Sequence, residues 1–127
     1  MGQLTTNFAR REFACRCGCG FDTIDMRIVN IAQALRTRLG IPVRVTSGCR
    51  CERHNARVGG VRNSTHVLSF ACDLASNVGS QRMFETMRQL HNEGLIPDLA
   101  YCLRYIRKNI IHIDCGHRRN NMFATTN

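Results

Sequence analysis

Apolar residues recur at helical spacing in one clear run, Ile24, Ile28, Ile31, Leu35 and Leu39, and the run stops at Gly40. Positions three and four apart share a helix face, so this pattern predicts an amphipathic α-helix with a glycine stop. Pro42 then opens Val43-Arg44-Val45-Thr46, whose alternation predicts a strand that runs out at Ser47-Gly48. Residues 50–63 are rich in Arg, Asn and Gly and read as a loop around a short helical turn. Residues 70–74 read as a short strand. Ser80 reads as the cap of a helix reaching His91 with Gly94 as its stop, and residues 99–106 and 109–114 read as two further strands. The tail from His117 is polar and reads as loose. Helices and strands fall in blocks rather than alternating strictly. The expected fold class is therefore α+β, a small, largely antiparallel sheet with flanking helices. A single domain is expected over residues 1–127, with a cysteine-rich arm over 1–20 and a polar tail over 117–127.

Composition narrows the partners. The chain has 127 residues, 43% hydrophobic, enough for one core and too few for two. Eighteen Lys and Arg against nine Asp and Glu leave a formal charge of +9, which favours a polyanionic partner: nucleic acid, an anionic membrane surface or cell-wall polymer. Aromatic content of 6% with no Trp argues against binding nucleic acid by base stacking. No stretch approaches the roughly 18 apolar residues of a membrane span, and the polar start lacks the apolar core of a secretory signal.

Three potential metal ligands stand out: His66, Asp73 and His112. Two imidazoles and one carboxylate leave a fourth tetrahedral position for water, the arrangement of catalytic rather than structural zinc. Such an ion makes a strong nucleophile of water near neutral pH, and amide hydrolysis follows naturally. Spacing alone is weak, because most histidines and aspartates are solvated or structural.

The eight cysteines leave alternatives open. Cys15, Cys17 and Cys19 alternate, as do Cys49 and Cys51, so each set can line one side of an extended segment. A second zinc held by thiolates and disulfides between arm and loop are both compatible with that pattern, although zinc sites usually use two-residue gaps. Cys72 and Cys102 fall in predicted strands and read as small buried residues, while Cys115 reads as either buried or reactive. A cysteine-nucleophile hydrolase using Cys115 or Cys72 has no recognised signature here. His54, His91 and His117 read as structural or exposed.

The order Ser47-Gly48-Cys49-Arg50-Cys51-Glu52-Arg53-His54-Asn55, Val58-Gly59-Gly60, Asn63-Ser64-Thr65-His66, Ala71-Cys72-Asp73 and His112-Ile113-Asp114 resembles the zinc D-alanyl-D-alanine carboxypeptidase family, which includes phage L-alanyl-D-glutamate endopeptidases. The resemblance runs from Phe8 to about Gly116 and centres on S-x-H-x-x-G-x-A-x-D, here Ser64 to Asp73, with a downstream H-x-D. It implies cleavage of peptide bonds next to D-amino acids in peptidoglycan stems. It also implies Zn2+ on His66, Asp73 and His112, Arg50 steadying the substrate carbonyl or oxyanion, and Ser64 contacting substrate. The charge would then hold the protein on anionic cell-wall polymer, and nucleic acid becomes an unfavoured partner. The expected setting is synthesis in the cytoplasm of a bacterial or phage-infected cell with action on the wall.

Two departures matter. The glycine of S-x-H-x-x-G is Ser69, which costs stability if the backbone there needs a positive angle. The acidic general base that several branches carry three residues before the last zinc histidine is Asn109, which cannot take a proton. Asp114 is the nearest replacement, two residues from His112 on one strand face, and it is equally suited to orienting the imidazole. Glu52 and Glu85 are further candidates. The loss of an acid at Asn109 also permits a non-catalytic zinc module that binds cell wall. A basic cysteine-rich zinc protein that binds nucleic acid is a third reading.

Overall fold

The computed structural model describes residues 2–61, 64–116 and 121–127. Asn63 and His117 lie outside the described residues.

Asp25 starts the first helix, α1 (Met26–Leu39), by accepting a hydrogen bond from the Arg27 backbone N–H while its carboxylate also pairs with the Arg27 guanidinium. Ile28, Val29, Ile31, Ala32 and Leu35 form its buried stripe. Four more elements follow as expected from the pattern: β1 (Val43–Ser47), a short helix α2 (Glu52–Arg57), β2 (Ala71–Ser76) and α3 (Gly79–Asn92). The chain then runs through β3 (Tyr101–Tyr105), β4 (Ile110–Asp114) and β5 (Phe123–Thr126). A 3-10 turn, Arg10–Phe13, precedes them all.

The five strands form one sheet in the order β1-β2-β4-β3-β5, antiparallel except where β5 runs parallel to β3. The architecture is α+β. Strand alternation divides the sheet cleanly. Cys72, Leu74, Cys102, Ile111 and Ile113 join the core with Ile28, Leu35, Met83, Met87 and Leu90 of α1 and α3, while Asp73 and His112 face the other way. No helix among the described residues is long and apolar enough to cross a membrane.

Two expectations change. Ser80 does not cap α3. Its backbone N–H donates to Asn109 Oδ1 at 2.8 Å, and its hydroxyl accepts from Arg104 Nε at 3.0 Å. The cap therefore comes from 29 residues away, which no local pattern could reveal. The end of the chain is also not loose over its last residues. Residues 123–126 pair with the otherwise open edge of β3, and Phe123 packs edge-on against Phe84 with ring centroids 5.7 Å apart.

Candidate functional site

The register of β2 against β4 sets Asp73 directly opposite His112 and Ala71 opposite Asp114. His66 reaches the same point from the turn that leads into β2. Its Nε2 lies 3.2 Å from His112 Nδ1 and 3.3 Å from Asp73 Oδ1, and His112 Nδ1 lies 3.0 Å from Asp73 Oδ1. The three residues predicted as ligands thus converge on one point.

Each ring is fixed through its other nitrogen. His66 Nδ1 lies 2.7 Å from the Gly48 carbonyl, which can only accept, so the proton sits on Nδ1 and the lone pair on Nε2. His112 Nε2 lies 2.8 Å from Asp114 Oδ2, so this nitrogen donates and Nδ1 is left facing Asp73. Three acceptor atoms then crowd within 3.3 Å, an arrangement that calls for a cation between them. The edge of a tetrahedron around zinc with bonds of about 2.0–2.1 Å is about 3.3 Å, so the donor set and its spacing fit that ion. With no ion between them, an imidazole proton on His112 takes that place. Burial alone would push the Asp73 carboxyl up, but the hydrogen bonds of His112 and His66 outweigh it and hold the group well below the usual carboxylate range. Burial alone would lower His112, but Asp114 and Asp73 outweigh it and raise the metal-free imidazole to about 9.

The three ligands sit at one wall of a cleft of about 370 Å³ that Arg50, Ser64 and Lys108 also line. Arg50 is held in place, with Nε donating to Ser47 Oγ at 3.2 Å and Nη1 to Asn55 Oδ1 at 3.1 Å; its Nη2 lies 3.9 Å from Asp73 Oδ2. Asn55 is itself anchored through Nδ2 on the Val61 carbonyl. Gly60 packs against this pair so closely that any side chain there would collide with Asn55 and Arg50. The Ser64 hydroxyl accepts from the His66 backbone N–H at 3.1 Å and so shapes the turn that delivers this ligand.

The candidate bases lie elsewhere. Asp114 is 1% exposed and sits behind His112, on the nitrogen that faces away from the other ligands. Asn109 has a φ of 57°, a left-handed conformation that Asn tolerates, and its side chain is committed to α3. Glu52 is exposed in the first turn of α2, and Glu85 is exposed on α3, where it accepts from Gln81. Among the described residues, Asp73 is the one carboxylate that lines the cleft. Ser69 does adopt the positive angle, at φ 64°.

Cys72, Cys102 and Cys115 are buried, and burial pushes their thiols up, Cys115 to about 11. Neutral thiols of this kind are poor nucleophiles, so the cysteine-hydrolase alternative loses its candidates. His54 and His91 do not line the cleft. Buried His54 Nδ1 finds no hydrogen-bond partner among the described residues, and His91 packs against Phe123.

Sequence reasoning missed Tyr101, Tyr105 and Lys108, which line the same cleft as Arg50. Leu103 pairs with His112 across β3 and β4, so Tyr101 and Tyr105, two positions either side, share the ligand face. Strand alternation was the available signal. Lys108 lies over the Tyr105 ring at 5.1 Å.

The family model described as Peptidase M15 matches residues 6–114, most of the chain and all the residues of this site. No curated protein matches the sequence.

Proposed function

This chain belongs to the peptidase M15 family, and from that premise we propose that it is a zinc peptidase hydrolysing a peptide bond next to a D-amino acid in the stem peptides of bacterial peptidoglycan. His66 Nε2, Asp73 Oδ1 and His112 Nδ1 would hold the ion. Zinc bound there supplies a Lewis acid and lowers the pKa of its water to about 7. The Gly48 carbonyl and Asp114 keep the two imidazole lone pairs aimed at that point. Of the two roles open for Asp114, its position behind His112 favours the orienting acceptor, and we assign it as a positioning residue. Arg50, fixed by Ser47 and Asn55, presents a permanent positive charge to the oxygen on which negative charge develops as the amide is attacked. Ser64 stands beside the ligands as a substrate contact.

The observation that carries the reading is the convergence of three acceptor atoms on one wall of a cleft. The other polar groups of that cleft include the cations of Arg50 and Lys108, which suit a substrate bearing carboxylates, as stem peptides do. Net charge of +9 would concentrate the protein on anionic wall polymer, an attraction that weakens with salt.

Incubation with defined muropeptides, with and without a chelator, followed by mass spectrometry of the products, tests the proposal. Metal-dependent release of a stem fragment is expected, and the fragment names the bond. Bound zinc with no product from any stem peptide would overturn it. That outcome favours a second reading, a non-catalytic wall-binding module, which the scarcity of carboxylates in the cleft supports.

A further inference from the structure

We infer that Cys15, Cys17, Cys19 and Cys51 form a second metal site, separate from the His66, Asp73 and His112 centre, that takes one structural zinc ion through four thiolates. The four Sγ atoms all lie within 4.8 Å of one another. Cys15 and Cys17 are 3.5 Å apart, Cys17 and Cys51 3.6 Å, and Cys15 and Cys51 3.8 Å. With zinc–sulfur bonds of about 2.3 Å, the edge of a tetrahedron is about 3.8 Å. Three sulfurs already form a nearly equilateral face of that size, and Cys19 stands near enough to close it. A disulfide would instead draw two sulfurs together to about 2.0 Å and exclude the others.

The chain geometry explains how an unusual spacing reaches this arrangement. On an extended strand, thiols two residues apart would sit about 6.6 Å from each other. Here the arm turns back on itself. Gly18 and Gly20 take φ of 80° and 90°, the Gly18 N–H donates to the Cys15 carbonyl, and the Cys15 N–H donates to Phe21 O at 2.7 Å. The tight loop brings Cys15, Cys17 and Cys19 to one point, and Cys51 arrives from the segment after β1.

Backbone donors address the cluster. The Cys51 N–H points to Cys15 Sγ and the His54 N–H to Cys51 Sγ, each at 3.4 Å, as suits sulfur carrying negative charge. Cys49, two residues from Cys51, takes no part. It is buried and donates to the carbonyls of Phe13 and Phe21. The eight cysteines thus divide into four that converge and four that are buried separately. Thiolates are soft ligands, which excludes magnesium and calcium, and a tetrahedral four-sulfur set selects zinc or iron. Loading zinc sends four thiol protons to solvent and leaves a local charge of −2 within a strongly basic chain.

Such a site would pin the arm to the segment that serves the cleft. Cys51 follows Arg50 directly, the Cys49 N–H bonds the Phe13 carbonyl at 2.9 Å, and the Arg50 N–H bonds the His66 carbonyl at 3.1 Å.

Metal analysis of protein purified under reducing conditions tests this without any reference to peptidase activity. Two zinc ions per chain are expected in the wild type and one in a Cys17→Ser/Cys19→Ser variant. A His66→Ala/His112→Ala variant should also keep one, and loaded with cobalt it should show intense sulfur-to-cobalt charge transfer. That second variant leaves the cysteines intact and decides the question even if the first fails to fold. Zero metal in it, a cobalt spectrum lacking sulfur charge transfer, or iron in place of zinc would overturn the inference. So would fewer than eight free thiols after denaturing the wild type in chelator without reductant. Each of these results leaves the peptidase reading standing.

Discussion

Asp114 Oδ2 lies 2.8 Å from His112 Nε2, the ring nitrogen that faces away from His66 and Asp73. A carboxylate in that position sets the tautomer and the aim of the ligand and raises its basicity. Asp114→Asn keeps an acceptor there and should lower zinc affinity by less than tenfold, whereas Asp114→Ala should lower it about 10–100-fold. Competition with a chromophoric chelator measures this. At saturating zinc the Asn variant should retain most of its activity with an unchanged pH profile; loss of activity in fully loaded protein would instead make Asp114 the base.

Asn109 is explained by α3 rather than by proton transfer. Its side chain supplies the cap at Ser80, and its left-handed backbone suits Asn. Asn109→Ala should cost about 2 kcal/mol, about 1 for the lost cap and about 1 for losing the polar side chain that lets Asn tolerate the left-handed region, read as a drop in thermal midpoint. Activity per folded molecule should not change. Asn109→Asp can still accept from the Ser80 N–H, so hydrolysis should stay near the wild-type rate; a large rise would mean that the position reaches the reacting atoms after all.

Ser69 stands in the left-handed region three residues after His66, where its N–H bonds the His66 carbonyl. A non-glycine residue costs about 1–2 kcal/mol there, partly offset by the greater freedom that glycine has in the unfolded chain. Ser69→Gly should therefore stabilise the protein by about 1 kcal/mol in denaturant titrations at constant slope. Zinc content should be unaffected.

Arg50 is clamped by Ser47 and Asn55 with Gly60 packed against the pair. Arg50→Lys loses the forked donors and should reduce kcat about a hundred- to thousand-fold, the usual cost of removing one donor to a developing oxyanion, with zinc content unchanged. Gly60→Ala should mimic part of that loss by displacing Asn55 and the guanidinium. Steady-state kinetics beside metal analysis separates both effects from loss of the metal.

Much of the scaffold was legible because its signals are local. The α1 stripe, the alternation of β1 and the His66, Asp73 and His112 set needed only periodicity, residue chemistry and the order of motifs. What stayed hidden depends on contacts between distant segments. The cap that Asn109 lends to Ser80 spans 29 residues, and the pairing of residues 123–126 with β3 requires an open sheet edge that no tail sequence announces. Tyr101 and Tyr105 showed their strand but not which face it would present to the cleft.

The sequence by itself determined the donor types, the α+β class and the order in which ligands arrive along the chain, since these follow from side-chain chemistry and local period. Only the tertiary structure decided which nitrogen of each histidine is free and that Asp114 stands behind a ligand rather than in the cleft. It also decided that the alternating cysteines meet at one point instead of lining a strand. The reason is physical: lone-pair direction and interatomic distance are set by strand register and backbone turns, and these emerge only when segments far apart in sequence pack together.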